Sequence, residues 1–120
     1  KAEIASWHWR AEFEGLMAIA EALRTSAPAM AGRALPGPVG YPQIPELAQR
    51  GLQRAAHFLE VLNQRLAERA YLASDRFSLA DITAAVAVDF ARVVKFKPDE
   101  RHPHLLRWRA LLAQRPSMAP

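Results

Sequence analysis

Hydrophobic and polar positions repeat at helical spacing over four stretches of the chain, and no stretch alternates as a half-buried strand would. The first predicted helix runs from Ala2 to about Arg24, contains no proline and carries two non-polar sides. Its broad apolar side comprises Trp9, Phe13, Leu16, Met17, Ala20 and Leu23. A stripe of small residues, which would let another backbone approach closely, comprises Ala11, Gly15, Ala18 and Ala22. We expect this helix to pack both on its own core and on a second surface.

An irregular connector is predicted between the first two helices. Residues 26–45 contain five prolines and three glycines. Because proline lacks a backbone N–H and has a fixed φ, neither a helix nor a strand ladder can persist there. A connection of this length is often functional, and the alternative that we favour is a connector along the surface, with Met30 and Tyr41 as candidate apolar anchors.

The second helix is predicted from Pro45 to about Arg69 and has a single buried side. That side comprises Leu47, Gly51, Leu52, Ala55, Phe58, Leu59, Leu62 and Leu66. Glu46 and Arg50 are spaced one turn apart, so we expect them to form an ion pair. His57 falls on the polar side, where we expect it to be solvated.

A helix-start signature precedes the third helix, which is predicted from Leu79 to about Val94. Ser78 is a suitable N-cap, and the carboxylate of Asp81 can reach back to the Ser78 backbone N–H, which makes a capping box. Phe77 and Ile82 are placed to form a hydrophobic staple over the same turn. Since the loss of a cap costs about 1 kcal/mol, we expect Asp81→Ala to destabilise the domain by that amount or more.

The third helix is apolar nearly all round, so we expect it at the centre of the domain, surrounded by other helices. Asp89 would then need a partner, and Arg92 and Arg76 are the local candidates. A closing helix is predicted from His102-Pro103 to about Arg115, with Leu105, Trp108 and Leu112 facing inward. These elements predict an all-α bundle of about four to five helices in a single domain, residues 1–120.

Composition narrows the chemistry available to this chain. The net charge of +4 comes from arginines interleaved with acids, so we do not expect nucleic-acid binding. There is no cysteine, no glycine-rich phosphate loop and no metal-ligand spacing, so we predict no catalytic residue and no metal site. No apolar run is long enough for a membrane span. The chain starts at Lys1 within a helical pattern, which we interpret as a fragment of a longer protein.

Two motifs extend this picture through a family resemblance. The segment from Tyr71 to Ile82, YLASDRFSLADI, resembles the cap-and-staple signature of the glutathione S-transferase C-terminal domain. The residues His102-Pro103-His104-Leu105, Trp108 and Arg115-Pro116 resemble the closing helix of that family at the expected distance. The resemblance covers essentially the whole chain. Ser74 departs from the family pattern, which has glycine there, and a positive φ at this position would strain its backbone.

The resemblance implies a two-domain parent protein, of which this chain is the second domain. An N-terminal thioredoxin-like domain, absent here, would bind glutathione as co-substrate and supply the activating residue. The parent would be a cytoplasmic, homodimeric detoxification enzyme that conjugates glutathione to hydrophobic electrophilic small molecules. This chain would form the acceptor side of the active site and part of the dimer interface, and it would be inactive alone. Its candidate acceptor-binding residues are Trp7, His8, Ala11, Glu12, Phe90 and Val94.

The same resemblance supports a second interpretation, a non-enzymatic protein-interaction module. Domains similar to this one are also attached to translation factors and synthetases as assembly scaffolds. The small-residue stripe would fit a subunit interface in either case, and Trp7 and Phe90 are equally compatible with a core or interface role. Retention of the full-length protein on immobilised glutathione would separate the two interpretations.

Overall fold

The computed structural model describes residues 2–26, 31–32, 40 and 42–118, and the regular structure in these ranges is helical. The first rod is one continuous helix made of α1 (Ala2–Arg10), a π-helical segment (Ala11–Leu16) and α2 (Met17–Arg24). It is followed by α3 (Pro45–Arg65), α4 (Leu79–Phe90) with a 3₁₀ turn (Ala91–Val94), and α5 (Pro103–Ala113) with a 3₁₀ turn (Pro116–Met118). The predicted all-α fold is confirmed. Met30 and Tyr41, the predicted anchors of the connector, lie outside the described residues.

The first rod turns its stripe of small residues, together with Trp7 and Ile19, toward the core. Ala11, Ala18 and Ala22 are buried, whereas Trp9 is 59% and Met17 54% exposed. The sequence predicted two non-polar sides without deciding which of them faces inward. Small residues suit the inner side because they allow two helical backbones to pack closely, which raises the number of dispersion contacts between them.

Two glycines mark the closest approaches of the rod to its neighbours. A Cβ built on Gly51 of α3 would lie 2.6 Å from the Ala18 carbonyl oxygen and 3.0 Å from the Ala22 Cβ. A Cβ on Gly15 would lie 2.8 Å from the Phe58 ring. The close backbone approach predicted from the small-residue stripe therefore occurs, and its partner is this chain's own α3.

The predicted buried side of α3 is largely correct, and one ion pair is not. Most of its members are buried, while Leu52 is 38% exposed, and His57 is exposed as expected. Arg50 pairs with Glu21 of the facing rod at 3.1 Å, so the predicted pair with Glu46 is wrong. The cause is tertiary, since α2 packs along α3 and brings a more buried carboxylate within reach of the guanidinium.

Helix α4 packs on the first rod with one side and leaves the other open. Ala80, Ala84 and Ala87 are fully buried, so the central position is correct for that side. The prediction that other helices surround it completely is wrong. Large apolar side chains on the remaining side are between 38% and 52% exposed, namely Leu79, Ile82, Val86 and Val93.

Asp89 finds its partner on α5 and not in its own neighbourhood. Arg109 donates from Nε to Oδ1 at 3.0 Å and from Nη2 to Oδ2 at 2.8 Å, so the predicted pairing with Arg92 or Arg76 is wrong. The Asp89 side chain is 41% exposed, and the guanidinium is the more buried partner. The hydrogen bonds to Asp89 raise the pKa of Arg109. This pair ties the end of α4 to α5.

The capping box at the start of α4 is present, and its carboxylate does more than cap. The Ser78 N–H donates to Asp81 Oδ2 at 3.0 Å. Asp81 is fully buried, and its Oδ1 accepts from the Leu72 N–H at 2.9 Å and from Trp108 Nε1 at 2.8 Å. The carboxylate thus joins the preceding loop, the helix start and α5. Contact between Phe77 and Ile82, the predicted staple, stays a prediction.

Hydrogen bonds in both directions hold α5 against the end of α3. Asn63 Oδ1 accepts from the backbone N–H groups of His104 and Leu105 at 2.9 and 3.0 Å, which satisfies free donors at the start of α5. Arg107 donates to the Leu66 and Arg69 carbonyl oxygens, both at 2.6 Å. The inward-facing residues Leu105, Trp108 and Leu112 are fully buried, as predicted.

The turn before α4 carries no left-handed serine. Lys95, with φ 61°, is the non-glycine residue with positive φ in the described part of the chain, so the strain considered for Ser74 does not arise. The Ser74 hydroxyl instead accepts from the Arg76 N–H at 3.2 Å and donates to the Arg76 carbonyl oxygen at 2.9 Å. This local turn replaces the conformation that glycine would allow.

Candidate functional site

The six predicted acceptor-binding residues occupy three different environments. Ala11 is fully buried and Trp7 is 9% exposed, and both lie in the main hydrophobic core. The Trp7 ring is covered by the guanidinium groups of Arg10 at 4.5 Å and Arg65 at 5.2 Å from its centroid. In this structure, therefore, the two side chains pack in the core, where they hold the first rod against its neighbours.

His8 and Glu12 lie together on the side of the rod that faces α4. The His8 Nδ1 atom is 2.7 Å from the Thr83 hydroxyl, and its Nε2 is 3.4 Å from a Glu12 carboxylate oxygen. The His8 side chain is 30% exposed, whereas Thr83 is buried. Both ring nitrogens have polar neighbours, so the imidazole is held in one orientation between the two helices.

Phe90 and Val94 lie at the other end of α4, beside a second cluster. Both pack partly buried against Ile19, Ala55 and Ala91. Phe90 also lines an open groove of about 570 Å³, and the other five candidates do not. The groove is formed between the first rod, α3 and the end of α4, and its lining is predominantly apolar.

The apolar floor of this groove comes from residues that the site prediction did not include. They belong to the broad apolar side of the first helix, and those lining the groove are Phe13, Leu16, Met17 and Ala20. The helical spacing of large side chains was the signal that could have identified them. Which of the two non-polar sides remained open was decided by packing. We call this feature, with its floor and Phe90, the Phe13–Phe90 groove.

Phe13 lies within the π-helical segment of the first rod. One extra residue per turn shifts the register within residues 11–16, and such segments are frequent at functional sites. Phe13 is 43% exposed and stacks on Trp9 with ring centroids 5.6 Å apart and planes 7° apart. The Arg54 guanidinium lies 4.8 Å from the Phe13 ring centroid and donates from Nη2 to the Phe13 carbonyl oxygen at 2.9 Å. Arg54 therefore holds the Phe13 ring in place on the groove floor.

The rim of the groove is rich in arginine. Arg24, Arg50 and Arg54 line it together with a single acid, Glu21. Arg50 Nη2 lies 3.1 Å from both carboxylate oxygens of Glu21. The arrangement combines an apolar floor with donors at its edge, which is the usual composition of a small-molecule site.

A second, more polar pocket of about 330 Å³ lies between α3 and the start of α5. Glu60, Arg101 and His102 contribute to its lining. Arg101 donates to the neighbouring Asp99 from Nε at 3.1 Å and from Nη2 at 2.9 Å. The pKa of Asp99 is lowered to about 2, and these hydrogen bonds make the largest contribution to the shift. The guanidinium is thereby engaged in a local turn.

The described residues contain neither a candidate metal-binding cluster nor a candidate membrane-spanning helix. No three His, Asp or Glu side chains among them are grouped so that they could hold a metal ion. Within the same ranges, no helix combines the length and apolar character that a bilayer span requires.

Comparison with known proteins identifies the family. Residues 21–116 match the family described as glutathione S-transferase, C-terminal domain. Over 76 residues the chain is 37% identical to glutathione S-transferase 2 of Saccharomyces cerevisiae, and the alignment covers 63% of this chain and 33% of that protein.

Solved structures agree with this match over nearly the whole chain. The crystal structure of Gtt2 from Saccharomyces cerevisiae superposes with a TM-score of 0.86 at 30% identity, covering 98% of this chain and 54% of that one. A glutathione S-transferase domain-containing protein from Marinobacter aquaeolei VT8 gives a TM-score of 0.79 at 33% identity, covering 98% and 55%. This chain spans between 33% and 55% of the length of these relatives. With its helical architecture and the matched residues 21–116, the chain belongs to the glutathione S-transferase C-terminal domain family.

Proposed function

We propose that this chain forms the acceptor-substrate side of a glutathione transferase, and that the Phe13–Phe90 groove is its apolar wall. The observation that carries the proposal is the open groove itself, in which Phe13 is 43% and Met17 54% exposed beside Phe90. When an apolar ligand covers large apolar side chains that were in contact with water, the free energy of the complex falls.

The wall would act by placement rather than by proton transfer. Glutathione, held by an N-terminal thioredoxin-like domain in the same protein, would present its thiolate to an electrophile lying on the groove floor. Proximity converts a bimolecular attack into an effectively unimolecular one, and exclusion of water strengthens the interactions within the site. No side chain of this chain is required to activate the sulfur.

The remaining exposed apolar surfaces are consistent with contacts to an N-terminal domain and to a second subunit. The open side of α4, from Leu79 to Val93, and the exposed face of Trp9 are surfaces that the thioredoxin-like domain and a second copy of the protein would cover. We further propose, as the family resemblance implies, that the protein is a cytoplasmic homodimer with a detoxification role.

The conjugation of glutathione to chlorodinitrobenzene by the full-length protein tests this function. Because burying an aromatic ring stabilises a complex by about 1.5–3 kcal/mol, Phe90→Ala should raise the KM for the aromatic acceptor roughly tenfold. The KM for glutathione should stay unchanged. Leu106→Ala, which alters an exposed apolar residue of α5, serves as the matched control and should change neither.

The isolated chain should be inactive, and conjugation by the purified chain alone would contradict the proposed division of labour. Full-length protein that neither conjugates chlorodinitrobenzene nor is retained on immobilised glutathione would favour the non-enzymatic interaction module. An unchanged acceptor KM in Phe90→Ala, with activity preserved, would place the acceptor outside the Phe13–Phe90 groove.

A further inference from the structure

The charge at the rim of the Phe13–Phe90 groove is not balanced. Three arginines and one glutamate line the groove. Both carboxylate oxygens of Glu21 lie 3.1 Å from Arg50 Nη2, so this acid is already paired. Arg24 and Arg54 are left without a carboxylate partner among the described residues. The groove therefore presents about two uncompensated positive charges next to an apolar floor.

Arg54 is held in place but has donors to spare. One of its terminal nitrogens donates to the Phe13 carbonyl oxygen at 2.9 Å, and its guanidinium lies 4.8 Å from the centroid of the Phe13 ring. A guanidinium carries five N–H donors in a rigid plane, so this anchoring leaves others available. The anchoring also fixes the side chain beforehand, which reduces the entropy lost when a ligand binds.

Arg24 differs from Arg54, because no side-chain hydrogen bond or ion pair is formed by its guanidinium in the described part of the chain. Its Nε is buried and makes no hydrogen bond there, although a buried N–H without a partner is unfavourable. Rotation of the side chain toward an acceptor in the groove would relieve this. The pair thus offers one preset guanidinium and one that gains hydrogen bonds only when an anion arrives.

We propose that the ligand of this groove is a carboxylate-bearing apolar molecule, whose ring or chain lies on the floor and whose carboxylate is bound by Arg24 and Arg54. This rests on the proposed acceptor function and specifies its substrate class. The volume of about 570 Å³ suits a molecule of that kind. A planar carboxylate matches the fork of a guanidinium, and a cation would be repelled by the rim.

Titration of the chain with naphthoate and its neutral analogue naphthamide, followed by NMR chemical shifts, tests the inference. Naphthoate should bind at least tenfold more tightly, since a charge-assisted hydrogen bond is worth about that factor. Arg24→Gln and, independently, Arg54→Gln should each weaken naphthoate binding more than naphthamide binding, so that the preference for the carboxylate falls. Arg76→Gln removes an exposed arginine outside the groove, so the preference should persist.

The outcomes distinguish the proposed carboxylate specificity from the proposed acceptor function on which it rests. Equal affinity for the two probes would overturn the carboxylate assignment while leaving an apolar acceptor groove intact. A preference that also disappears in Arg76→Gln would overturn it too, because net charge rather than the rim would be the cause. Binding of neither probe would overturn the ligand class, and the conjugation assay on Phe90→Ala would then judge the acceptor function by itself.

Discussion

At the scale of single residues, Asp81 does the most to hold distant parts of this domain together. Its buried carboxylate accepts from the Ser78 N–H, from the Leu72 N–H and from the Trp108 indole. A capping box requires the first of these bonds alone. The other two join the preceding loop and α5 to the helix start, so the residue is part of the tertiary structure as well as of its own helix.

The substitution Asp81→Ala should therefore cost more than a lost cap. It leaves buried donors of Leu72 and Trp108 without acceptors, each at about 1–3 kcal/mol, so we expect destabilisation of about 3 kcal/mol or more. Urea unfolding measures it, with Asp75→Ala, an exposed acid in the preceding turn, as control. Equal midpoints for the two variants would show that the network is not formed.

Asp99 makes a pH-dependent contribution of known sign. Arg101 holds the pKa of this carboxyl at about 2, below its ordinary value of 3.8. A carboxyl whose pKa is lower in the folded state stabilises that state above its unfolded pKa, and the contribution is lost as the pH falls from about 4 toward 2. In an NMR titration of the Asp99 carboxyl carbon, Arg101→Gln should raise the pKa toward 3.8, whereas Arg76→Gln should leave it near 2. No rise in Arg101→Gln would contradict the assignment.

At the scale of elements, the contact between the first rod and α3 depends on the absence of side-chain volume. The backbone of Ala18 lies where a Cβ on Gly51 would have to be, at 2.6 Å. A backbone carbonyl cannot rotate away as a flexible side chain can. The two helices must move apart to admit even one methyl group, and this would loosen the core and also shift the wall of the Phe13–Phe90 groove.

Gly51→Ala should for this reason destabilise the domain even though alanine is the better helix former. Helix propensity alone predicts a gain of about 1 kcal/mol. Overpacking typically costs about 1–3 kcal/mol, and against a fixed carbonyl we expect the upper part of that range, so the net change is a loss. Thermal unfolding should show a lower Tm for Gly51→Ala and a nearly unchanged Tm for Gln49→Ala, an exposed position of the same helix. A higher Tm for Gly51→Ala would contradict the close approach.

At the scale of the whole molecule, α4 packs on the first rod with one side, and two apolar surfaces of the described residues are exposed. One is the open side of α4, with Leu79 and Val86 about half exposed, and the other is the stacked pair of Trp9 and Phe13. Exposed apolar surfaces of this kind mark places where a protein meets a partner or a ligand. The open side of α4 also explains why its sequence predicted complete enclosure, since an exposed apolar side and an enclosed one have the same sequence pattern.

Helical spacing and short motifs are enough to predict those features of the fold that depend on neighbours within a few residues. The helical spacing, the capping box of Ser78 with Asp81 and the inward side of α5 follow from local hydrogen bonding and from the period of the helix. These features also carried the resemblance to the family, which is why the all-α fold class could be predicted.

Contacts that join distant segments depend instead on how the helices pack against one another. The indole of Trp108 reaches Asp81 across 27 positions, and Arg109 reaches Asp89 across 20. The inner side of the first rod was decided by Gly51 and Phe58 of α3, whose fit admits alanine and excludes Phe13 or Met17. Helical periodicity specifies which residues share a side, whereas shape complementarity between elements selects the side that is buried, and this selection left the Phe13–Phe90 groove open.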